Sequence, residues 1–162
     1  MENERAQFIE EFGITFEGLG SGRMIGRVLG FLMTSDPPAQ SAEDIATALK
    51  ASRGSISQGT RTLIQMGMVR RISIPGERRD YFQIRPYAWT EVTRREGDTI
   101  DRMLEMFSNG LRLMDGHSPE SRLGLEESVA FMSFWKQRIG AIFQEWEEER
   151  ERVLSEHCNR DT

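Results

Sequence analysis

Apolar side chains recur at three- and four-residue steps near the start of the chain, at Phe8, Ile9, Phe12, Phe16 and Leu19, and this period predicts a helix over residues 4–19. Gly18, Gly20 and Gly22 interrupt it. Met24, Ile25, Val28, Leu29, Phe31 and Leu32 predict a second helix over residues 22–34, along which Gly22, Gly26 and Gly30 recur at every fourth position. Glycine inside a helix is worse than alanine by roughly 1 kcal/mol, so a glycine face predicts compensation through close approach of a neighbouring helix. Asp36-Pro37-Pro38 then ends the element.

Ser41 reads as the N-cap of a third helix, with Glu43 and Asp44 in its first turn and Asp44 three residues on, as in a capping box. Ile45, Ala46 and Leu49 give it a buried face. Ala51-Ser52 makes a short break, and Ser52 caps a further helix over residues 53–66 that Gly67 closes. Ile56, Thr60, Leu63 and Ile64 form its inward stripe. The period then shortens: Val69, Ile72 and Ile74, and after Pro75-Gly76 the run Tyr81, Phe82 and Ile84, read as a β-hairpin with Arg78 and Arg79 at its tip. Helical periodicity returns over residues 87–115, with a weak point at Gly97, and over residues 120–154 after the turn Gly116-His117-Ser118-Pro119. The chain thus divides into packing helices (1–35), a helix–turn–helix with hairpin (36–86) and a helical region (87–162). The predicted class is mainly α, a winged helix-turn-helix with a two-stranded hairpin wing and long terminal helices for dimerisation.

Charge sharpens this picture. The 162 residues carry a net charge of -5, yet residues 40–86 hold eight cations (Lys50, Arg53, Arg61, Arg70, Arg71, Arg78, Arg79, Arg85) against Glu43, Asp44, Glu77 and Asp80, a local balance of +4 beside -9 elsewhere. A basic middle flanked by acidic helices can orient a protein on a polyanion. At 100° per residue the outward side of the 53–66 helix carries Gly54, Gln58, Arg61 and Gln65, with Ser55, Ser57 and Thr62 on its flanks and no acid. Short polar groups of this kind match the hydrogen-bonding edges of a major groove: Arg61 suits guanine, Gln58 or Gln65 adenine. Ser52, Arg53, Ser55 and the free backbone N–H groups of the helix start suit a phosphate. Arg78 and Arg79 would reach a neighbouring minor groove or backbone. Taken singly, a polar amphipathic helix is only a solvated helix and an Arg-Arg turn only an exposed turn. Their ordered combination, with charge opposite to that of the chain, points to duplex DNA.

Here the chain resembles a known family. Gly18-Leu19-Gly20-Ser21-Gly22-Arg23-Met24-Ile25-Gly26-Arg27-Val28-Leu29-Gly30-Phe31-Leu32, then Ser41-Ala42-Glu43-Asp44-Ile45-Ala46 through Ser52-Arg53-Gly54-Ser55-Ile56-Ser57, then Val69-Arg70-Arg71 and the hairpin, resemble the GbsR branch of the MarR-type winged-helix regulators. The resemblance covers residues 5–90 and implies a homodimer joined by its N- and C-terminal helices, two wings presented to a double-stranded operator, half-sites about one helical turn apart, and repression by promoter occlusion. Some of the proteins it resembles sense choline or related osmolytes. A small-molecule effector of choline-like or other chemistry is therefore considered, with Phe12, Phe16, Trp89 and Trp135, and Trp146 beside them, as cation–π candidates. The competing reading makes these aromatics core or dimer interface.

Other classes lose ground. No Ser/His/acid set, glycine-rich phosphate loop or metal-ligand spacing occurs, so neither an enzyme nor a metal or organic cofactor is expected; the acids from Glu145 to Glu151 read as a solvated helix end, and His117 as a turn residue. Cys158 is the single cysteine, with only His157 near it to share a metal. Met1-Glu2-Asn3-Glu4-Arg5 lacks the basic start and apolar stretch of a secretory signal, and no apolar run approaches the roughly 20 residues of a membrane span, so a cytoplasmic protein away from membranes is expected. The remaining competitor is a winged helix that docks other proteins and never touches DNA. It would carry apolar or acidic residues where Gly54, Gln58, Arg61 and Gln65 stand.

Overall fold

The computed structural model describes residues 2–158; Met1, residues 159–162 and the side chains of Glu96, His157 and Cys158 lie outside that description, and with them the His157–Cys158 pair considered above. In chain order the elements are α1 (Glu2–Gly18), α2 (Arg23–Met33), β1 (Gln40–Ser41), α3 (Ala42–Leu49), α4 (Arg53–Met66), β2 (Val69–Ser73), β3 (Asp80–Ile84), α5 (Ala88–Leu113) and α6 (Pro119–Cys158). They form two compact units, Met1–Val92 and Thr93–Thr162.

In the first unit α2 is the hub, touching α1, α3, α4 and β3. Its apolar side chains turn inward while Arg23 and Arg27 reach out to Glu10 of α1, and Val28, Leu29, Phe31 and Leu32 are all buried. They share one core with Ile9 and Phe16 of α1, Ile45 and Leu49 of α3, Ile56 and Leu63 of α4, and Met68, Val69 and Phe82 of the sheet region. The glycine face of α2 does what its spacing predicts at two of its three positions. A β-carbon on Gly26 would meet the main chain of Phe12, and one on Gly30 would lie 3.1 Å from Phe12 Cβ, whereas Gly22 faces only Ile25 of its own helix. Gly13 of α1 reciprocates, since a β-carbon there would lie 2.8 Å from Arg27 Cγ.

The sheet has three antiparallel strands in the order β1-β3-β2, one more than the hairpin expected. Val69 pairs with Ile84, Arg71 with Phe82 and Ser73 with Asp80, while Gln40 and Ser41 pair with Phe82 and Tyr81. The extra strand hides in a cap. Ser41 is extended (φ -75°, ψ 162°), the conformation an N-cap requires, and the same conformation lets it join β3.

In the second unit α5 and α6 are joined by the ion pairs Arg94–Glu147 and Lys136–Asp101, the latter at 2.6 Å. Near the far end Leu125 packs on Gly110, where a β-carbon would lie 3.3 Å away. α5 runs through Gly97 without the break its glycine suggested, and it starts at Ala88 because Tyr87 takes the left-handed φ of +57°. Large apolar side chains on this unit stay exposed, among them Met106, Phe131, Phe134, Trp135 and Ile142. Among the described residues, no helix is long and apolar enough to cross a membrane, and no group of three or more His, Cys, Asp or Glu is placed to hold a metal ion.

Candidate nucleic-acid interface

The helix–turn–helix is built from its caps. At the start of α3 the Asp44 amide donates to Ser41 Oγ at 3.2 Å, and the Ser41 amide and hydroxyl donate back to Asp44 Oδ2 at 3.1 and 2.6 Å. This reciprocal box satisfies donors that a helix start leaves unpaired. The hydroxyl and amide of Ser41 hold the Asp44 carboxyl below the ordinary value of 3.8. At the other end Lys50 takes a left-handed conformation (φ 50°, ψ 45°) and turns the chain. Ser52 then caps α4, accepting from the Ser55 amide at 3.1 Å. Gly67, at φ 84°, ends it.

These restraints set which face of α4 is free. Ile56, Thr60 and Leu63 point into the core, and the buried Thr60 hydroxyl donates to the Ile56 carbonyl at 2.9 Å, so it leaves no unpaired polar group. Gly59, also buried, brings α4 against Val28, whose Cγ2 would lie 3.3 Å from a β-carbon there. Ser52, Arg53, Gly54, Ser57, Gln58, Arg61 and Gln65 are exposed, and Ser55 and Thr62 are half-buried at the edges. The structure therefore collects the eleven DNA-facing candidates on two exposed features of one unit, nine along α4 with its cap and two on the wing turn.

The cations differ in their freedom. Arg61 and Arg78 are exposed and make no ion pair among the described residues. Arg79 is engaged: its Nη1 lies 3.4 Å from Glu43 Oε2 and its Nε 3.8 Å from Glu77 Oε2. Glu43 also faces Arg53, with Oε1 3.7 Å from Nη2. On the wing, Arg71 pairs with Asp80 at 3.2 Å and Arg70 donates to Gln83 at 3.1 Å. Sequence reasoning treated Glu43 only as a first-turn acid of α3. Its position between the start of α4 and the wing depends on the β1–β3 pairing, for which the residue pattern carried no separate signal.

The aromatic candidates fall in both units. Phe12 and Phe16 stack along α1 with ring centroids 6.2 Å apart; Phe16 is buried in the core and Phe12 packs against it. Trp89 is half-exposed at the start of α5. Trp135 belongs to the second unit, 6.2 Å from the Phe131 ring. There it lines a cavity of about 520 Å³ with Ile100, Met103, Phe131, Met132 and Ile139.

Comparisons with known proteins bear on both units. Residues 87–149 match a family described as MmpR5-like MarR family transcriptional regulator. The chain is 37% identical over 133 residues to the HTH-type transcriptional regulator MmpR5 of Mycobacterium tuberculosis, covering 82% of this chain and 81% of that protein. It is also similar to a solved structure described as a transcriptional regulator, at 32% identity and a TM-score of 0.77, over 90% of this chain and 99% of that one.

Proposed function

The chain belongs to the MarR family of transcriptional regulators, and from that premise we propose that it acts as a homodimeric repressor whose α4 reads the edges of base pairs in duplex DNA. One observation carries the reading: α4 buries Ile56, Thr60 and Leu63 and exposes Gly54, Ser57, Gln58, Arg61 and Gln65, a polar face with one cation and no acid. In this role Arg61, Gln58 and Gln65 take base edges, Ser52, Arg53, Ser55 and Ser57 take backbone phosphates beside Gly54 and Thr62, and Arg78 and Arg79 carry the wing to the adjoining groove.

Dimerisation through residues 1–35 and 87–162 around a reading module at 36–86 is supported by the exposed apolar side chains of α5 and α6, too many for a free surface. The finer place in the GbsR branch rests on the residue 18–32 stretch and the helix-turn-helix residues alone; the matched family is the MmpR5-like group. An effector, choline-like or other, would act by binding one spacing of the two reading helices better than another. The cavity beside Trp135 is the feature that supports one, and the burial of Phe16 in the core sets that side chain apart from it. A regulator of this kind works in the cytoplasm.

The test is binding to random and promoter duplexes across a salt series, with footprinting upstream of the chain's own gene. Counterion release predicts affinity that falls as salt rises, with a slope set by the number of phosphate contacts. Absent or salt-insensitive binding would favour the protein-docking alternative.

A further inference from the structure

Among the described residues, Glu43 is the acid whose carboxylate faces a cation from each of the two parts of the candidate interface. Its two carboxylate oxygens face different cations, Oε1 toward Arg53 Nη2 at 3.7 Å and Oε2 toward Arg79 Nη1 at 3.4 Å. Arg53 is the first residue of α4 and Arg79 the last before β3, so one carboxylate bridges the reading helix and the wing. The three side chains, with Ser57 and Thr60, line a cleft of about 430 Å³. All three are more than half exposed and open to water, and Glu77, 3.8 Å from Arg79 Nε, neighbours that guanidinium without reaching Arg53 among the described residues.

A carboxylate held between two guanidinium groups has the chemistry of a backbone phosphate in the same place: an oxyanion presenting two acceptors to two cationic donors. We propose that Glu43 is a built-in competitor for a DNA phosphate, occupying the seat between Arg53 and Arg79 until the duplex displaces it. The inference rests on the reading of α4 and the wing as the DNA-facing surface. Displacement trades two ion pairs for phosphate contacts and leaves Glu43 close to the polyanion, so it lowers affinity. Phosphate contacts carry no sequence information, so Glu43 lowers affinity for every duplex by one factor and sets occupancy without altering which site is preferred. Asp80 and Glu77 do not substitute for it. Asp80 is paired with Arg71, and Glu77 reaches only Arg79.

The experiment compares the full chain with Glu43→Gln and Glu43→Asp on a random duplex and on the footprinted promoter, at low and high salt, with thermal unfolding of each protein alongside. Exposed ion pairs are individually weak, so removing two predicts that Glu43→Gln binds both duplexes about three- to tenfold more tightly at low salt. The gain should shrink as salt rises. Glu43→Asp keeps the first-turn charge on a shorter arm and should show a smaller gain of the same sign. In an Arg53→Ala/Arg79→Ala background the gain from Glu43→Gln should largely vanish. Unchanged or weaker binding by Glu43→Gln, while the unaltered chain binds DNA, would overturn the inference and make Glu43 an ordering contact for its arginines. A gain that persists in full without those arginines would also overturn it, leaving a plain surface charge. No binding by the unaltered chain removes the DNA reading itself, and the inference with it.

Discussion

The main chain of Phe12 occupies the place where Gly26 would carry a side chain: a β-carbon there would stand 2.7 Å from the Phe12 carbonyl carbon and 2.8 Å from Phe16 Cβ. Backbone cannot rotate aside as a flexible side chain can. Gly26→Ala must therefore push α1 off α2, and α2 is the hub of the first unit. Overpacking of this kind costs about 1–3 kcal/mol, and the obstacle here sets the larger end, beyond the gain of roughly 1 kcal/mol in helix propensity. Chemical denaturation should show a loss of about 2 kcal/mol or more.

Gly97 provides the opposite case. It lies inside α5, and a β-carbon there meets nothing within 4 Å. Gly97→Ala should raise stability by about 0.5–1 kcal/mol through helix propensity alone. An unfolding midpoint lower than that of the unaltered chain would show that this face is covered by something that needs the glycine.

Ser41→Ala removes the cap of α3, with an expected loss of about 0.5–2 kcal/mol at neutral pH. The loss should depend on pH, and the sign follows from Asp44. Hydrogen bonds from Ser41 hold the folded-state pKa of Asp44 below 3.8, so its contribution is complete above that ordinary value and disappears as pH falls through the lower folded one. The stability gap between the two proteins should therefore narrow in acid. A gap that widens on acidification would mean that the carboxylate is not what the cap stabilises.

Arg61→Ala should weaken binding to the preferred operator by roughly 1–3 kcal/mol and relax the preference at one base position. Competition between the operator and single-base variants reads this directly. Equal affinity of Arg61→Ala and the unaltered chain for the preferred site would remove α4 from the groove.

Arg78→Ala should instead weaken all duplexes alike and reduce the salt slope by about one unit. Arg79→Ala should do the same to a smaller extent, because Arg79 gives up its pairs with Glu43 and Glu77 on binding whereas Arg78 has none among the described residues to give up.

Much of this was legible in the residue pattern, and the reasons are local. Ser41, Ser52 and Gly67 mark helix ends through hydrogen bonds and dihedral angles set by a few neighbouring residues, and α4 spans Arg53–Met66 as its cap and period predict. The inward stripe of α4 was legible for the same reason: Ile56, Thr60 and Leu63 follow the helical period. What stayed hidden depends on partners distant in sequence. Gln40 and Ser41 are too short a run to read as a strand, and only β3, some forty residues on, makes them one. The Arg53–Glu43–Arg79 bridge inherits that difficulty. The aromatic candidates were harder again, since periodicity tells which side of a helix Phe16 or Trp135 occupies but not whether core or cavity lies there.

Arg27 leaves α2 in two directions, pairing through Nε with Glu10 of α1 at 2.7 Å and donating through Nη2 to the Leu49 carbonyl at 3.2 Å. Leu49 closes α3, one residue before the left-handed Lys50 that aims α4. A single guanidinium thus links α1 to the corner between α3 and α4. A tilt of α1 is therefore passed to the start of α4 through one arginine, as well as through the packing of α1 on α2.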